Sequence, residues 1–288
     1  MATTRSTLAD YLELTKPRIT LMVMITAMVG FVMASPRAVD GGALAAALLG
    51  TALVAAGASC LNMVIERDID ARMQRTSRRP LPAGRLRPAE ALTFGLAVTT
   101  VGLVQLGWSS GAAAAAVAAV TWASYLFLYT PLKPHTSLST VVGAFPGALP
   151  PVIGWAAARG TIDGGAFVLF AILFLWQIPH FLAIAWIYRD DYARGGLRML
   201  PVEDPQGLVT GRQAVANSLA LLVVSLIPVL ARMAGGLYLI GAVVLGVAFV
   251  AAASVAAVRR TIPAARGLFL ASVLYLPALC GLLLLDRR

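Results

Sequence analysis

Charge is what this sequence has least of. Only 12% of its 288 residues are Asp, Glu, Lys or Arg, against about 25% in an ordinary soluble domain. That deficit excludes a single water-soluble globule. The 59% hydrophobic content excludes a disordered chain, which needs the opposite balance. Cysteine is nearly absent too. Cys60 and Cys280 both lie in apolar stretches, so there is no CxxC pair and no disulfide framework, and both read as small core residues. The segment Met1 to Leu14 is short and polar and contains Asp10 and Glu13. It lacks the marks of a cleavable signal or an Arg/Ser-rich transit peptide, so the first apolar segment is expected to be a retained span.

The mean hydropathy of the whole chain is +0.82, and what is there is a series of long charge-free runs. They cover 19–36, 41–65, 91–132, 134–158, 164–188, 213–231, 233–258 and 267–285. A helical span needs about 20 apolar residues. The run 91–132 is long enough for two, with a break expected at Gly107-Trp108-Ser109-Ser110-Gly111. The fold class predicted is all-α, a polytopic membrane protein with nine transmembrane helices in one bundle and one domain over 1–288. A barrel would instead show strands of about 10 residues with alternating polarity. Nine spans put 18 of the 23 basic residues, Arg5 among them, on one side and five, Arg37 among them, on the other. The positive-inside rule then predicts a cytoplasmic N-terminus and a C-terminus on the opposite side. The partner this implies is the lipid bilayer, and no nucleic acid is expected.

The remaining polar chemistry gathers on that same basic side. Two long inner connections, roughly 66–90 and 189–212, form a polar cap that holds more than half of the acids: Glu66, Asp68, Asp70, Asp190, Asp191, Glu203 and Asp204. Acids contribute little to orientation, so their clustering needs another cause. Asn62, Glu66 and Asp70 are spaced four apart. If the second helix continues this far they form one stripe, with Asp68 turned elsewhere and able to pair with Arg72. Two carboxylates and an amide oxygen make a hard, oxygen-only set that suits Mg²⁺, which binds one or two carboxylates together with substrate phosphates. A solvated helix end with salt bridges is the competing reading. The second cluster, Tyr188-Arg189-Asp190-Asp191-Tyr192, falls on the same face. Acids amid excess positive charge suggest carboxylate, Mg²⁺, diphosphate and Arg or Lys in sequence, with an apolar tail running between the helices. His180, in Trp176-Gln177-Ile178-Pro179-His180-Phe181, lies roughly 12 Å below the inner surface at the helical rise per residue. Polar groups at that depth usually face the bundle interior. His135 reads as a solvated loop residue. Trp155, Trp176, Trp186 and Tyr125 read as interface anchors or packing, and Pro146, Pro150 and Pro151 should kink the fifth span.

Asn62-x3-Glu66-x3-Asp70 resembles the first aspartate-rich motif of the UbiA-type intramembrane prenyltransferases. The longer run through Met73, Arg75-Thr76 and Arg79-Pro80 is similar to one branch, the protoheme IX farnesyltransferases (heme O synthases). So are Leu14-Thr15-Lys16-Pro17-Arg18, Trp176 to Phe181, and Asp191-Tyr192 followed by Met199-Leu200-Pro201. Two departures stand out. The family's Lys-Arg-x-Thr-x-x-Asn is here Lys133-Pro134-His135-Thr136-Ser137-Leu138-Ser139, and its second D-x3-D motif is reduced to Asp190-Asp191. The resemblance implies farnesyl transfer from farnesyl diphosphate to heme b with addition of water, giving heme o for terminal oxidases in a bacterial inner membrane. It implies Asn62, Glu66, Asp70 and Asp191 as Mg²⁺ ligands with help from Asp190, and Arg18, Arg75, Arg79 and Lys133 on the diphosphate. His180 and Trp176 would face the heme substrate. The alternatives are a relative that prenylates an aromatic acid or quinone precursor, and a non-enzymatic anion transporter. A transporter should carry charge near the midplane, and the central thirds of these spans carry none.

Overall fold

The computed structural model describes residues 7–35 and 38–288. Arg5 and Arg37 lie outside the described residues. Among those described, nine helices are long and apolar enough to cross a membrane. They are α1 (Pro17–Ala34), α2 (Gly41–Ile65), α3 (Pro88–Ser110), α4 (Ala112–Leu132), α5 (Ser139–Arg159), α6 (Gly164–Ile187), α7 (Leu208–Leu230), α8 (Gly236–Arg259) and α9 (Ile262–Leu285). The long charge-free run does divide in two, at Gly111, whose φ of 89° suits glycine.

Local sequence sets the helix ends. Pro17 and Pro88 begin α1 and α3 at the first turn, where a missing N–H costs nothing. Asp40 caps α2 through the N–H groups of Gly42 and Ala43 at 2.8 and 3.0 Å. Asp163 caps α6 in the same way. The proline run breaks α5 at Leu149, between Ser139–Ala148 and Pro150–Arg159, as expected. Pro179 leaves α6 continuous. The polar connections are partly helical, with short turns at Arg67–Asp70, Arg189–Gly195 and Leu200–Glu203. A further helix, Thr7–Leu14, precedes α1.

Packing uses small residues, as membrane helices do where no hydrophobic effect drives them together. In α1 and α5 a Cβ at Gly30 or Gly154 would overlap the facing carbonyl of Pro151 or Ala27. Outward-facing side chains such as Val223, Val244 and Leu274 are apolar and exposed, which is what a lipid boundary asks for. At the end of the bundle away from the Asn62–Asp70 stripe, the chain is laced together by polar contacts. Arg159 Nε donates to Ala34 O at 2.8 Å, and Arg287 donates to Val32 O. Tyr238 N donates to Asp286 Oδ2 at 2.8 Å.

Candidate active site

The other end of the bundle holds the clustered acids. α2 stops at Ile65, and Glu66 turns the chain into Arg67–Asp70. The helical spacing nevertheless carries through, because Glu66 N bonds to Asn62 O at 2.9 Å and Asp70 N to Glu66 O at 2.8 Å. Asn62, Glu66 and Asp70 are therefore all buried on one stripe, at 1%, 7% and 1% exposure. Asp68 is exposed, as expected, but its ion-pair partner is Arg67 at 2.9 Å rather than Arg72. The side chain of Arg72 reaches only the Asp68 carbonyl.

Each buried acceptor on the stripe meets a cation. Lys16 Nζ donates to Asn62 Oδ1 at 2.9 Å. Lys133 Nζ donates to Glu66 Oε1 at 2.6 Å. Arg79 Nη1 donates to Asp70 Oδ2 at 2.7 Å. The second Asp70 oxygen, Oδ1, is buried with no hydrogen-bond partner. Burial works against the Glu66 charge, yet Lys133 and Lys16 hold its carboxyl below the usual carboxylate range. Burial likewise opposes the Lys133 charge, and Tyr129 and Glu66 beside it push its ammonium up instead. Lys16 has no such surplus. Loss of water, reinforced by Arg79, lowers it to about 7.

The second acid cluster closes over the first. Asp191 accepts the backbone N–H of Gln74 at 2.8 Å, that of Arg75 at 3.3 Å, and Arg194 Nη2 at 2.6 Å. Burial raises its carboxyl, but these donors outweigh that and keep it low. Arg75 lies over the Tyr192 ring, 4.5 Å from its centroid, and donates to the phenol oxygen at 2.9 Å. Arg198 N donates to Lys133 O at 2.9 Å, tying the connection after α6 to the end of α4.

Not every expected residue arrives. Arg18 is exposed, and no acid pairs with it among the described residues. The Asp190 side chain is 86% exposed, with Arg189 3.7 Å away. Among the described residues no three His, Cys, Asp or Glu side chains stand close enough to hold a metal ion by themselves. The oxygen donors present are Asn62, Glu66 and Asp70, and the partnerless Asp70 oxygen suits a hard cation such as Mg²⁺. Lys16 was missed, since the triplet Lys16-Pro17-Arg18 offers two cations and only the backbone chooses between them. Its φ of 47° turns it back toward α2. At the position where the family pattern has Asn, Ser139 is fully buried and its hydroxyl oxygen has no partner. His135 is exposed, with its ring nitrogen against Pro131 O.

His180 lies deeper, on the α6–α9 seam. Its Nδ1 is 2.7 Å from Ser272 Oγ, and that hydroxyl donates to Phe269 O at 2.5 Å. A hydroxyl has one hydrogen. His180 Nδ1–H is therefore the donor, and Nε2 carries the lone pair. Trp176 stacks on the imidazole with centroids 4.8 Å apart and donates its Nε1–H to Ser272 O at 2.8 Å. An apolar groove runs between α1, α5, α6 and α9, lined by Val29, Pro151, Leu173, Leu279 and Leu283.

The model of the UbiA prenyltransferase family matches residues 23–281. The chain is 49% identical to the protoheme IX farnesyltransferase of Solibacter usitatus, over 96% of this chain and 98% of that one. It is 46% identical to the enzyme of the same name from Salinibacter ruber, again over 96% and 98%. Its fold is similar to that of a digeranylgeranylglyceryl phosphate synthase, with a TM-score of 0.82 at 17% identity over 97% and 98% of the two chains. A UbiA homologue from Archaeoglobus fulgidus, solved with GPP and Mg²⁺, superposes with a TM-score of 0.69 at 18% identity over 95% and 99%. Acid stripe, nine-helix architecture and near-full-length similarity agree, and the chain belongs to the UbiA prenyltransferase family.

Proposed function

We propose that the protein transfers the farnesyl group of farnesyl diphosphate to a vinyl group of heme b, with addition of water, to give heme o and diphosphate. The observation that carries this reading is the alternation of buried acid and cation at one end of the bundle, in a chain whose relatives at 49% and 46% identity bear the name protoheme IX farnesyltransferase. Asn62, Glu66 and Asp70 would hold Mg²⁺, with Asp191 closing the site from the other connection. When bound, Mg²⁺ neutralises charge as it develops on the departing diphosphate.

The chain's own residues supply the rest. Lys16, Lys133 and Arg79 exchange their carboxylate and amide partners for diphosphate oxygens, and Arg75 is held over Tyr192 within the same cap. These fixed donors stabilise the leaving group as the allylic C–O bond breaks. The isoprenoid tail runs down between the apolar helices, and that dry surrounding keeps water from the allyl cation. The vinyl carbon of the heme attacks that cation. That attack needs no general base. Water then adds to the new benzylic-type cation, and its proton passes to the released diphosphate, which balances the reaction. His180 presents its unprotonated Nε2, backed by Trp176, to the heme substrate on the α6–α9 seam. The 18 basic residues on the active side support a reading in which that side faces the cytoplasm of a bacterial inner membrane.

The test is product analysis of purified protein given heme b, farnesyl diphosphate and Mg²⁺. Heme o that forms with Mg²⁺ and disappears on chelation supports the assignment. Release of diphosphate with an aromatic acid or quinone precursor as acceptor, and no heme o, would overturn it in favour of a different acceptor.

A further inference from the structure

Within α4 the backbone passes through a π-helical turn, Ser124–Tyr129. Such turns insert one residue into the helix and are frequent at functional sites. Here the Tyr125 carbonyl accepts both the backbone N–H of Thr130 and, at 2.8 Å, the Thr130 hydroxyl. Thr130 is buried, at 3% exposure. Its only hydroxyl hydrogen is spent on Tyr125, so its oxygen can do nothing but accept. Asn62 Nδ2, on the neighbouring helix α2, fills that role at 3.1 Å.

The consequence falls on the other end of the same amide. With its NH2 turned to Thr130, Asn62 directs Oδ1 the opposite way, toward Lys16 Nζ at 2.9 Å. Lys16 and Thr130 agree on that orientation, because an ammonium only donates and this hydroxyl oxygen only accepts, and the Glu66 carboxylate, which also accepts from the Asn62 amide, favours it too. Lys16 and Thr130 differ once substrate is bound. Lys16 leaves for the diphosphate, and its hold on the amide goes with it. Thr130 does not leave. An amide free to turn over would offer NH2 to a cation, which repels it.

We propose that Thr130 is a positioning residue, which fixes the Asn62 amide with its oxygen toward the cation site, so that a π turn in one helix selects the donor atom in another. This rests on the reading of Asn62 as an oxygen donor to Mg²⁺.

The test measures Mn²⁺ binding to the full-length protein by electron paramagnetic resonance, in the presence of a thiodiphosphate analogue of farnesyl diphosphate. Thr130→Val keeps the shape and removes the hydroxyl, and Thr130→Ser keeps the hydroxyl. Each is made in the native and in the Asn62→Asp background. Aspartate has two equivalent oxygens and cannot be turned the wrong way. The expected result is Mn²⁺ affinity weaker by about 3- to 10-fold in Thr130→Val, the range of one hydrogen bond. Thr130→Ser should restore it, and Thr130→Val should have no effect beside Asn62→Asp. An equal loss in both backgrounds reduces Thr130 to packing and overturns the proposal, as does unchanged affinity in Thr130→Val. Should Thr130→Val fail to fold, Thr130→Ala carries the same comparison. The underlying reading has its own signature. If Asn62→Ala binds Mn²⁺ as tightly as the native protein, Asn62 is no donor and the proposal goes with it.

Discussion

Lys133 Nζ sits 2.6 Å from Glu66 Oε1, although the two residues are 67 positions apart and end different helices. The Tyr129 ring covers the other side of the ammonium, its centroid 4.4 Å away. Both side chains are nearly buried, at 11% and 9% exposure. Removing one partner strands the other charge, which in buried pairs costs about 3–5 kcal/mol. Glu66→Gln and Lys133→Met should each lower the thermal midpoint in detergent. Combined, they should recover much of that stability while turnover stays lost. A double variant no more stable than either single one would show that the pair is not a coupled unit.

Lys16 gives a pH signature. Its pKa of about 7 reflects loss of water first and the nearby Arg79 second. A diphosphate beside it favours the charged form. Farnesyl diphosphate binding should therefore take up close to one proton at about pH 8, where free Lys16 is neutral, and none at about pH 6, where it is already charged. Calorimetry in buffers of different ionisation enthalpy reads this directly. Lys16→Arg should abolish the uptake, since arginine stays protonated throughout.

Asp190 and Asp191 are adjacent and should behave oppositely. The Asp190 carboxylate is 86% exposed, whereas that of Asp191 is 6% exposed and bonded to the other connection. Asp190→Asn should leave turnover within about twofold, as surface changes usually do, and Asp191→Asn should cost turnover and stability together. The sign of the pH dependence follows from the lowered Asp191 carboxyl. Its contribution is complete above the unfolded carboxylate value of about 4 and fades as pH falls through the lower folded value. The difference in midpoint between native protein and Asp191→Asn should be flat at neutral pH and close under acid conditions. A gap that widens in acid would contradict the assignment.

The crossing of α1 and α5 makes a structural prediction. A methyl at Gly154 would overlap Ala27 O, while one at Gly281 meets nothing within 4 Å. Backbone cannot move aside as a side chain can. Gly154→Ala should destabilise by more than the roughly 1–3 kcal/mol typical of overpacking, and Gly281→Ala should be neutral or mildly stabilising. Equal unfolding midpoints for the two would sink the close-approach argument.

The architecture was readable because a bilayer excludes charge so strongly that eight uninterrupted runs could be counted, one of them long enough for two helices. The acid stripe was readable because the helical spacing survives the turn at Glu66. What stayed hidden depends on backbone detail. Lys16 rather than Arg18 reaches the site because of one left-handed residue before Pro17. The resemblance favoured Asp191 over Asp190, but the exposure of Asp190 follows from the helix that starts at Arg189, which spacing alone does not show. The π turn that brings Thr130 to Asn62 leaves no periodic trace in sequence. Ser272, the partner of His180, lies 92 residues away, and pairing over such a distance is set by how the helices dock.

The lacing at the far end of the bundle bears on how the protein can be handled. Asp286 accepts Tyr238 N, its carbonyl accepts Gly235 N at 3.0 Å, and Arg287 reaches Val32 O. The last residues of the chain thus join α9 to the start of α8 and the end of α1. Any added sequence joined after Arg288 adjoins this clasp directly, since Arg288 N itself donates to Met233 O at 3.2 Å. A flexible spacer there, or a tag at the other terminus, leaves the seam closed.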